Sequence, residues 1–272
     1  MFLVTSSENA SGKKLPVALV WLNFTAYVVM VAVNTLANVL PLNGHTTGAV
    51  SARYPNLFTP AAYTFSIWGA IYVLVLFFLA SQIKTSTSTR KAPSIGVLIG
   101  SWFTVSCIAN ALWLCSWHYD HIGISVVVMF VLLTALLIIN GRIANIKLAS
   151  TREKISRFGF QIYLGWICAA TLANITVLLA KHMGQQFSSI DLFWTIAAIL
   201  LGTLIGIRFI FTKRKASALA IIWAHLGILL KHLSESGHQA KYMSVIVAVI
   251  LSIVVLLCFL KFVTSSVPEA KK

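Results

Sequence analysis

The sequence predicts an all-α membrane protein with about eight transmembrane helices and both termini in the cytoplasm. Of its 272 residues, 58% are apolar and only 10% are charged. Soluble proteins carry about 25% charged residues, so this chain has too few charges to cover a surface that faces water. Its apolar residues also fall into stretches near the length of about 20 residues that crosses a bilayer as a helix. The basic residues, finally, are divided unevenly between the connecting segments.

The apolar stretches set the predicted helices. They lie near 16–38, 60–82, 95–117, 121–141, 158–180, 190–212, 216–233 and 242–263, and the seventh is the shortest. Membrane-spanning strands would show alternating polarity over about 10 residues, and that pattern is absent. The first stretch is longer than the apolar core of about 7–15 residues in a signal peptide, so we expect it to be retained as the first helix.

The basic residues orient these helices. With eight spans, four of the 21 Lys and Arg residues (Arg53, Lys181, Lys231 and Lys241) fall on one side and the other 17 on the opposite side. Cytoplasmic loops are enriched in Lys and Arg, which places both termini in the cytoplasm and suggests a plasma-membrane protein. Because topology accounts for the net charge of +15, the sequence predicts no nucleic-acid partner.

Ionisable groups are expected to be scarce inside the membrane. All six acidic residues, Glu153 and Asp191 among them, are expected in loops or tails, and only His225 lies near the middle of a span. Ion-driven transporters usually keep such groups at mid-membrane, so their scarcity in the predicted spans weighs against ion-driven transport. With no catalytic or metal-binding constellation visible, we predict no enzymatic activity and no required cofactor. The four cysteines lie in apolar runs, where we expect small buried side chains rather than disulfides.

Uncharged polar and aromatic residues recur at helical spacing on four predicted spans: Asn23, Tyr27, Asn34 and Asn38; Trp68 and Tyr72; Asn110, Trp113 and Trp117; and Tyr163, Trp166 and Asn174. An amide that faces lipid stays unsatisfied, so these faces should turn inward. The tryptophans could line a pocket for a planar apolar ligand in the outer half of the bundle. Alternatively, the asparagines bridge helices and the tryptophans form an interfacial belt, which accounts well for Trp117, Trp21 and Trp194.

Three motifs on these helices identify a family resemblance. They are Pro60, Trp68 and Tyr72 in the second span, Asn110-x-x-Trp113 in the third, and Tyr163-Leu-Gly-Trp166 with Asn174 in the fifth. Together they resemble the TspO/MBR family of tryptophan-rich sensory and translocator proteins. The chain departs from the family pattern at Ala62, Ser66 and Ile162, where that pattern has an aromatic residue and two prolines. The resemblance covers roughly residues 16–182.

The resemblance implies a five-helix bundle over 1–182 that binds a porphyrin, a haem-type ligand or another planar hydrophobic molecule, capped by the loop between the first two helices. Trp68, Trp113 and Trp166 would contact the ligand ring, and Tyr72, Asn110 and Asn174 would make polar contacts, with Pro60 and Tyr163 completing the motifs. Arg53 could pair with a ligand carboxylate, although an exposed loop arginine is more often solvated. Residues 183–272 would add three helices and a short basic tail, to which the resemblance assigns no role.

Several alternatives stay open at this stage. The protein could act in sensing, regulation or trafficking, or it could be a small-molecule permease or exporter that uses the last three helices. Oxidative porphyrin breakdown has the least support. Gly96-x-x-x-Gly100 could form a homodimer contact through the third helix, but packing within the chain explains it equally well. The cluster Trp117-His118-Tyr-Asp120-His121 could sense pH or capture a metal, although tolerated polar residues of an outward loop are the simpler interpretation.

Overall fold

The computed structural model describes residues 15–40, 42–85, 94–146, 148, 150–183 and 189–265. These residues form helices and no strand, which confirms the all-α prediction. The helices are α1 (Val17–Val39), α2 (Thr47–Ala52), α3 (Ile67–Thr85), α4 (Ile95–Ile99), α5 (Trp102–His118), α6 (Ile122–Ile143), α7 (Thr151–Met183), α8 (Ser189–Phe211), α9 (Lys215–Leu233) and α10 (Met243–Ser265). Short 3₁₀ turns lie at Leu42–Gly44 and Ala62–Ser66. The predicted C-terminal basic tail, from residue 266 onward, lies outside the described residues.

Seven helical segments in the described part of the chain are long and apolar enough to cross a membrane. The third predicted span, 95–117, is instead divided into α4 and α5. Gly100 ends α4 with a φ of 59°, a left-handed conformation that glycine adopts without the steric penalty of a Cβ atom. Each half is therefore shorter than a full span, and the predicted orientation of the termini stays a prediction.

The surfaces of these helices match a membrane environment. On α1, Trp21 and Val39 are 63% and 69% exposed, and on α8 Phe193 is 63% exposed. Such continuous apolar exposure is far more than a soluble monomer shows, but lipid tails cover it without cost. The protein is an integral, multi-pass membrane protein.

Two sequence expectations about side-chain placement are wrong. Glu153 and Asp191 lie in the first turns of α7 and α8 rather than in loops, where a negative charge is stabilised by the positive end of the helix dipole. Cys258 is exposed on α10, whereas Cys107 and Cys168 are buried as expected. A small thiol can face lipid as readily as a protein core. No cysteine forms a disulfide.

The chain divides into two compact units. The first comprises Met1–Val50 and Ile67–Leu164, and the second comprises Ser51–Ser66 and Gly165–Lys272, so that the division falls within α7. This division follows the spatial contacts, whereas the predicted boundary at residue 182 rests on the motif resemblance and stays a prediction.

The first unit packs around three phenylalanines. Phe78 of α3, Phe103 of α5 and Phe160 of α7 are fully buried, and their ring centroids lie 4.9–6.0 Å apart in edge-to-face arrangements. Edge-to-face contacts place the positive ring edge against the negative ring face. They fix the relative positions of α3, α5 and the first part of α7.

The second unit contains a buried polar chain across α8, α9 and α10. Thr203 donates its hydroxyl proton to the Ile199 carbonyl (2.7 Å) and lies 2.5 Å from Ser252 Oγ, which lies 2.8 Å from His225 Nδ1. Because Thr203 uses its proton on Ile199, Ser252 must donate to Thr203, and His225 Nδ1–H must donate to Ser252. His225, the histidine near the middle of a predicted span, is thus a hydrogen-bonded packing residue.

Candidate functional site

Five aromatic side chains of the first unit form a connected group around Trp68, which we call the aromatic cluster: Trp68 and Tyr72 of α3, Trp113 and Trp117 of α5, and Tyr163 of α7. The Trp68 ring centroid lies 5.7 Å from Tyr72, 6.3 Å from Trp113 and 5.7 Å from Tyr163. Trp113 and Trp117 stack at 6.1 Å. Trp68 and Tyr72 are only partly buried, so their rings are the accessible members of the cluster.

A chain of side-chain hydrogen bonds joins α1 and α5 to Tyr163 of the aromatic cluster. Asn34 Nδ2 donates to Asn110 Oδ1 at 2.7 Å, and Asn110 Nδ2 donates to the Tyr163 hydroxyl oxygen at 3.0 Å. Asn110 is fully buried. Since the Tyr163 oxygen acts as the acceptor in this chain, its own proton is left to donate elsewhere. The amides thus position Tyr163 and leave it a hydrogen-bond donor.

The Tyr72 hydroxyl is a second donor in the same cluster. Its oxygen is buried and has no hydrogen-bond partner among the described residues. The backbone nearby is held by Tyr27, whose hydroxyl donates to the Tyr72 carbonyl at 2.9 Å. A buried hydroxyl without a partner costs about 1–3 kcal/mol, so it is retained at an energetic cost and is suited to pairing with an acceptor on a bound molecule.

Of the α1 residues predicted to face inward, Asn23 and Asn34 are buried and Tyr27 is partly buried, whereas Asn38 is exposed, so the prediction is wrong for Asn38. Asn23 is fully buried, donates to Gln82 Oε1 at 3.3 Å and accepts from Thr104 at 2.8 Å. Asn34 reaches Asn110, as described above. Asn38 donates only to the Asn34 carbonyl. The amide face of α1 is therefore used to bind α3 and α5, which is the helix-bridging interpretation.

Trp117 follows the inward-facing interpretation rather than the alternative of an exposed interfacial belt. Its side chain is 5% exposed, stacks on Trp113, and donates from Nε1 to the Thr47 carbonyl at 3.2 Å. The segment around α2 covers this end of α5, as the family resemblance implied for the loop between the first two predicted helices. Trp21 and Trp194 are 63% and 42% exposed, as an interfacial position requires.

His118 is a packing residue rather than an exposed sensor. Its Nδ1 lies 3.2 Å from the Leu42 carbonyl and its Nε2 lies 3.1 Å from Thr47 Oγ1. The carbonyl can only accept, so Nδ1 carries the proton and Nε2 accepts from the threonine hydroxyl. Asn43 adds a bond to the His118 carbonyl at 3.1 Å. Both ring nitrogens are satisfied and His118 is buried at the end of α5, so for this residue the interpretation as a tolerated polar residue of an outward loop is wrong as well.

Of the eight predicted ligand-binding residues, the structure brings five together in the first unit: Trp68, Tyr72, Asn110, Trp113 and Tyr163. The other three, Pro60, Trp166 and Asn174, belong to the second unit. There the Trp166 ring meets Phe65 edge-on with centroids 5.8 Å apart, and Asn174 is buried on α7. Sequence reasoning omitted Tyr27 and Asn34 from the site, although their spacing on α1 already placed them on one face.

The segment that precedes α3, residues 54–66, is anchored throughout to α7 and α9 within the second unit. We call it the strap. Each anchor joins one strap residue to one helix residue: Tyr54 to Lys181, Asn56 to Thr176, Leu57 to His232, Ala61 to Gly227, Thr64 to Trp223, and Phe65 to Trp166. Since three of these anchors are on α9, this late helix holds the segment that contains Pro60.

Gly96 and Gly100, proposed for a homodimer, have contacts within the chain. A Cβ atom on Gly96 would lie 3.1 Å from Leu15 and 3.2 Å from Gln82, so this glycine allows close packing inside the first unit. Gly100 forms the helix break and faces Arg142, whose guanidinium donates to the Leu98 carbonyl at 3.1 Å. A homodimer through this helix stays a prediction.

Comparison with known proteins identifies a family. The family model described as TSPO-like protein matches residues 20–260, and no curated protein and no solved structure matches the chain. The matched range continues through α8 and α9 and most of α10, for which the motif resemblance offered no counterpart. Among the described residues, no group of three or more His, Cys, Asp or Glu side chains is placed to hold a metal ion.

Proposed function

Because the chain belongs to the TSPO-like protein family, we propose that its aromatic cluster binds a planar hydrophobic molecule of the porphyrin or haem type. The observation that carries the proposal is the position of Trp68, whose ring contacts three other aromatic rings while staying partly exposed. A flat ligand can extend this stack by lying against the accessible parts of Trp68 and Tyr72. The roles of Pro60, Trp166 and Asn174 in ligand binding stay predictions.

Polar contacts would supply much of the affinity. A molecule that enters from lipid gains little hydrophobic free energy, since lipid tails are as apolar as the protein core. Binding must then depend on ring stacking and hydrogen bonds. The hydroxyls of Tyr72 and Tyr163 can each donate a proton, which suits a ligand with a carbonyl, carboxyl or unprotonated ring nitrogen. Each such bond contributes about 1 kcal/mol.

The proposed role is sensing, regulation or trafficking of this ligand in the plasma membrane rather than its chemical conversion. Stacked indoles and a chain of amides supply contact area and hydrogen bonds. They do not supply an activated nucleophile with an adjacent base. A non-enzymatic binding protein is the function that such a cluster serves best.

The test is a titration of the purified protein with protoporphyrin, followed by tryptophan fluorescence with inner-filter correction and by equilibrium dialysis. We expect saturable binding in the micromolar range or tighter. Trp68→Leu should weaken it at least tenfold because it removes the accessible stacking surface, and Trp113→Leu should also weaken it because the buried Trp113 ring supports Trp68. The matched control is Trp21→Leu, which alters an exposed indole of α1. Equal affinity in all three variants, with unchanged size-exclusion profiles, would refute the proposed site.

A further inference from the structure

Two histidines lie together where α9 ends, within the second unit. His232 is in the last turn of α9 and His238 is in the turn that follows. Their ring centroids are 4.5 Å apart and their planes are inclined by 39°. Tyr242 stands edge-on to both, with centroids 6.0 Å from His232 and 5.5 Å from His238. The pair belongs to no part of the aromatic cluster.

The backbone of the turn holds His238 against His232. The His238 N–H donates to the Lys231 carbonyl at 3.1 Å, and the Ala240 N–H donates to the His232 carbonyl at 2.8 Å. Gln239 and Ala240 both have positive φ values, 49° and 56°. Non-glycine residues adopt this conformation at an energetic cost and keep it only where the surroundings enforce it. The close approach of the two imidazoles is therefore built into the fold.

Hydrogen bonding fixes the protonation of His232. Its Nε2 lies 2.9 Å from the Leu57 carbonyl oxygen, which can only accept, so Nε2 carries the proton. In the neutral ring Nδ1 then bears a lone pair. His232 is fully buried, and its Nδ1 has no hydrogen-bond partner among the described residues. A buried lone pair of this kind needs either a donor or a metal ion.

We propose that His232 Nδ1 and the His238 ring bind a single divalent transition-metal ion such as Zn²⁺ or Cu²⁺. Two imidazoles on one ion at about 2.0–2.1 Å bring their centroids to about 5 Å when they occupy adjacent positions, close to the separation observed. The bond from His232 Nε2–H to the Leu57 carbonyl is the outer hydrogen bond that metal-binding histidines regularly make. Water would complete the coordination.

The charges around the two histidines determine how tightly they should bind a metal ion. The Lys231 ammonium group acts on both His232 and His238. Lys231 also opposes a second cation. We therefore expect micromolar rather than nanomolar affinity, and a tighter site when the Lys231 charge is removed.

The experiment uses the full-length protein without a histidine tag, in detergent, with Zn²⁺ measured by calorimetry and Cu²⁺ by electron paramagnetic resonance. We expect one ion per chain and a Cu²⁺ spectrum with two nitrogen ligands. His238→Asn, which alters a half-buried turn residue, should weaken binding at least tenfold. His121→Asn, which alters an exposed histidine outside the pair, should leave it unchanged. Lys231→Met should tighten it several-fold.

Three results would overturn the proposal. One is Zn²⁺ binding that is equal in His238→Asn and the parent protein. A second is the absence of saturation up to about 1 mM, far weaker than a two-histidine site of this kind should be. The third is stabilisation by inorganic phosphate but not by Zn²⁺, lost in Lys231→Met, which would identify an anion site. None of these results bears on porphyrin binding, which concerns other residues.

Discussion

The Ala61 backbone N–H donates to the carbonyl of Gly227 at 3.1 Å, which joins the strap to the middle of α9. The approach is close because Gly227 has no side chain. A Cβ atom there would overlap the Thr64 hydroxyl and lie 2.9 Å from Pro60 Cβ. The sequence motif around Pro60 is thus seated on a helix more than 160 residues later in the chain.

We therefore expect Gly227→Ala to destabilise the protein by about 1–3 kcal/mol, the usual cost of forcing an extra methyl group into a packed contact. The measurement is thermal unfolding in detergent. Gly69→Ala is the control, because a Cβ at Gly69 meets no atom within 4 Å. An unchanged melting temperature in Gly227→Ala would mean that the strap does not pack closely on α9.

Removing the Tyr72 hydroxyl should have opposite effects on stability and on binding. Tyr72→Phe deletes a buried hydroxyl without a partner, so the free energy of unfolding should stay the same or rise by about 1 kcal/mol. Porphyrin affinity should fall about fivefold if the hydroxyl donates to the ligand. Tyr27→Phe is the comparison, since it loses a real hydrogen bond and should be less stable. Unaltered affinity in Tyr72→Phe would remove this hydroxyl from the site.

Asn110→Ala should break the chain that joins Asn34 to Tyr163. Two hydrogen bonds are lost, and Asn34 Nδ2 keeps only its bond to the Met30 carbonyl. Hydrogen bonds between membrane helices are worth about 0.6 kcal/mol on average and up to about 1.7, so we expect a loss of about 1–3 kcal/mol. Asn38→Ala, on the exposed end of α1, should cost far less. Equal melting temperatures would show that the chain contributes nothing.

Stability should decrease as the pH falls from about 6.5 to about 4. In this range the unfolded chain protonates His238 at its ordinary pKa of 6.5, while the folded state, with the pKa lowered to about 4 by burial, His232 and Lys231, does not. The unfolded state then binds more protons and is favoured. Chemical unfolding at several pH values would measure this slope, and His238→Gln should reduce it. An identical slope in the variant would assign the pH dependence to other groups.

Ser252→Ala should destabilise the second unit because it leaves His225 Nδ1–H without its acceptor. A buried donor without a partner costs about 1–3 kcal/mol. Ser252→Thr keeps the hydroxyl and should restore part of the loss. Thermal unfolding compares the two, and equal values for alanine and threonine would show that the hydroxyl is not needed.

The helix positions could be predicted closely because hydropathy alone defines where a chain enters and leaves a bilayer. Most predicted ends lie within a few residues of those observed, as for α1 and α8. The break at Gly100 could not be predicted, since Gly96 and Gly100 form a spacing that is typical of helix packing and says nothing about φ. Only the tertiary structure requires a left-handed residue there.

The candidate site was predictable to a similar degree. Spacing placed Trp68 with Tyr72 and Asn110 with Trp113, because residues three or four apart share a helix face. It could not show which residues of the capping loop contact Trp117, since Thr47 and Trp117 are 70 residues apart. Nor could it show that the strap is anchored to α9. Contacts of this kind depend on which helices become neighbours in the fold, and local sequence patterns do not indicate which helices those are.

The anchoring of the strap also bears on the order in which the molecule is made. Thr64 and its partner Trp223 are 159 residues apart, and Leu57 and His232 are 175 apart. Synthesis proceeds from the N-terminus at about 5–20 residues per second, so the strap is complete roughly ten seconds or more before α9 leaves the ribosome. During that interval Leu57 and Phe58, which are buried in the finished protein, have no α9 to pack against. Assembly of the second unit is therefore a late event, completed only after nearly the whole chain has entered the membrane.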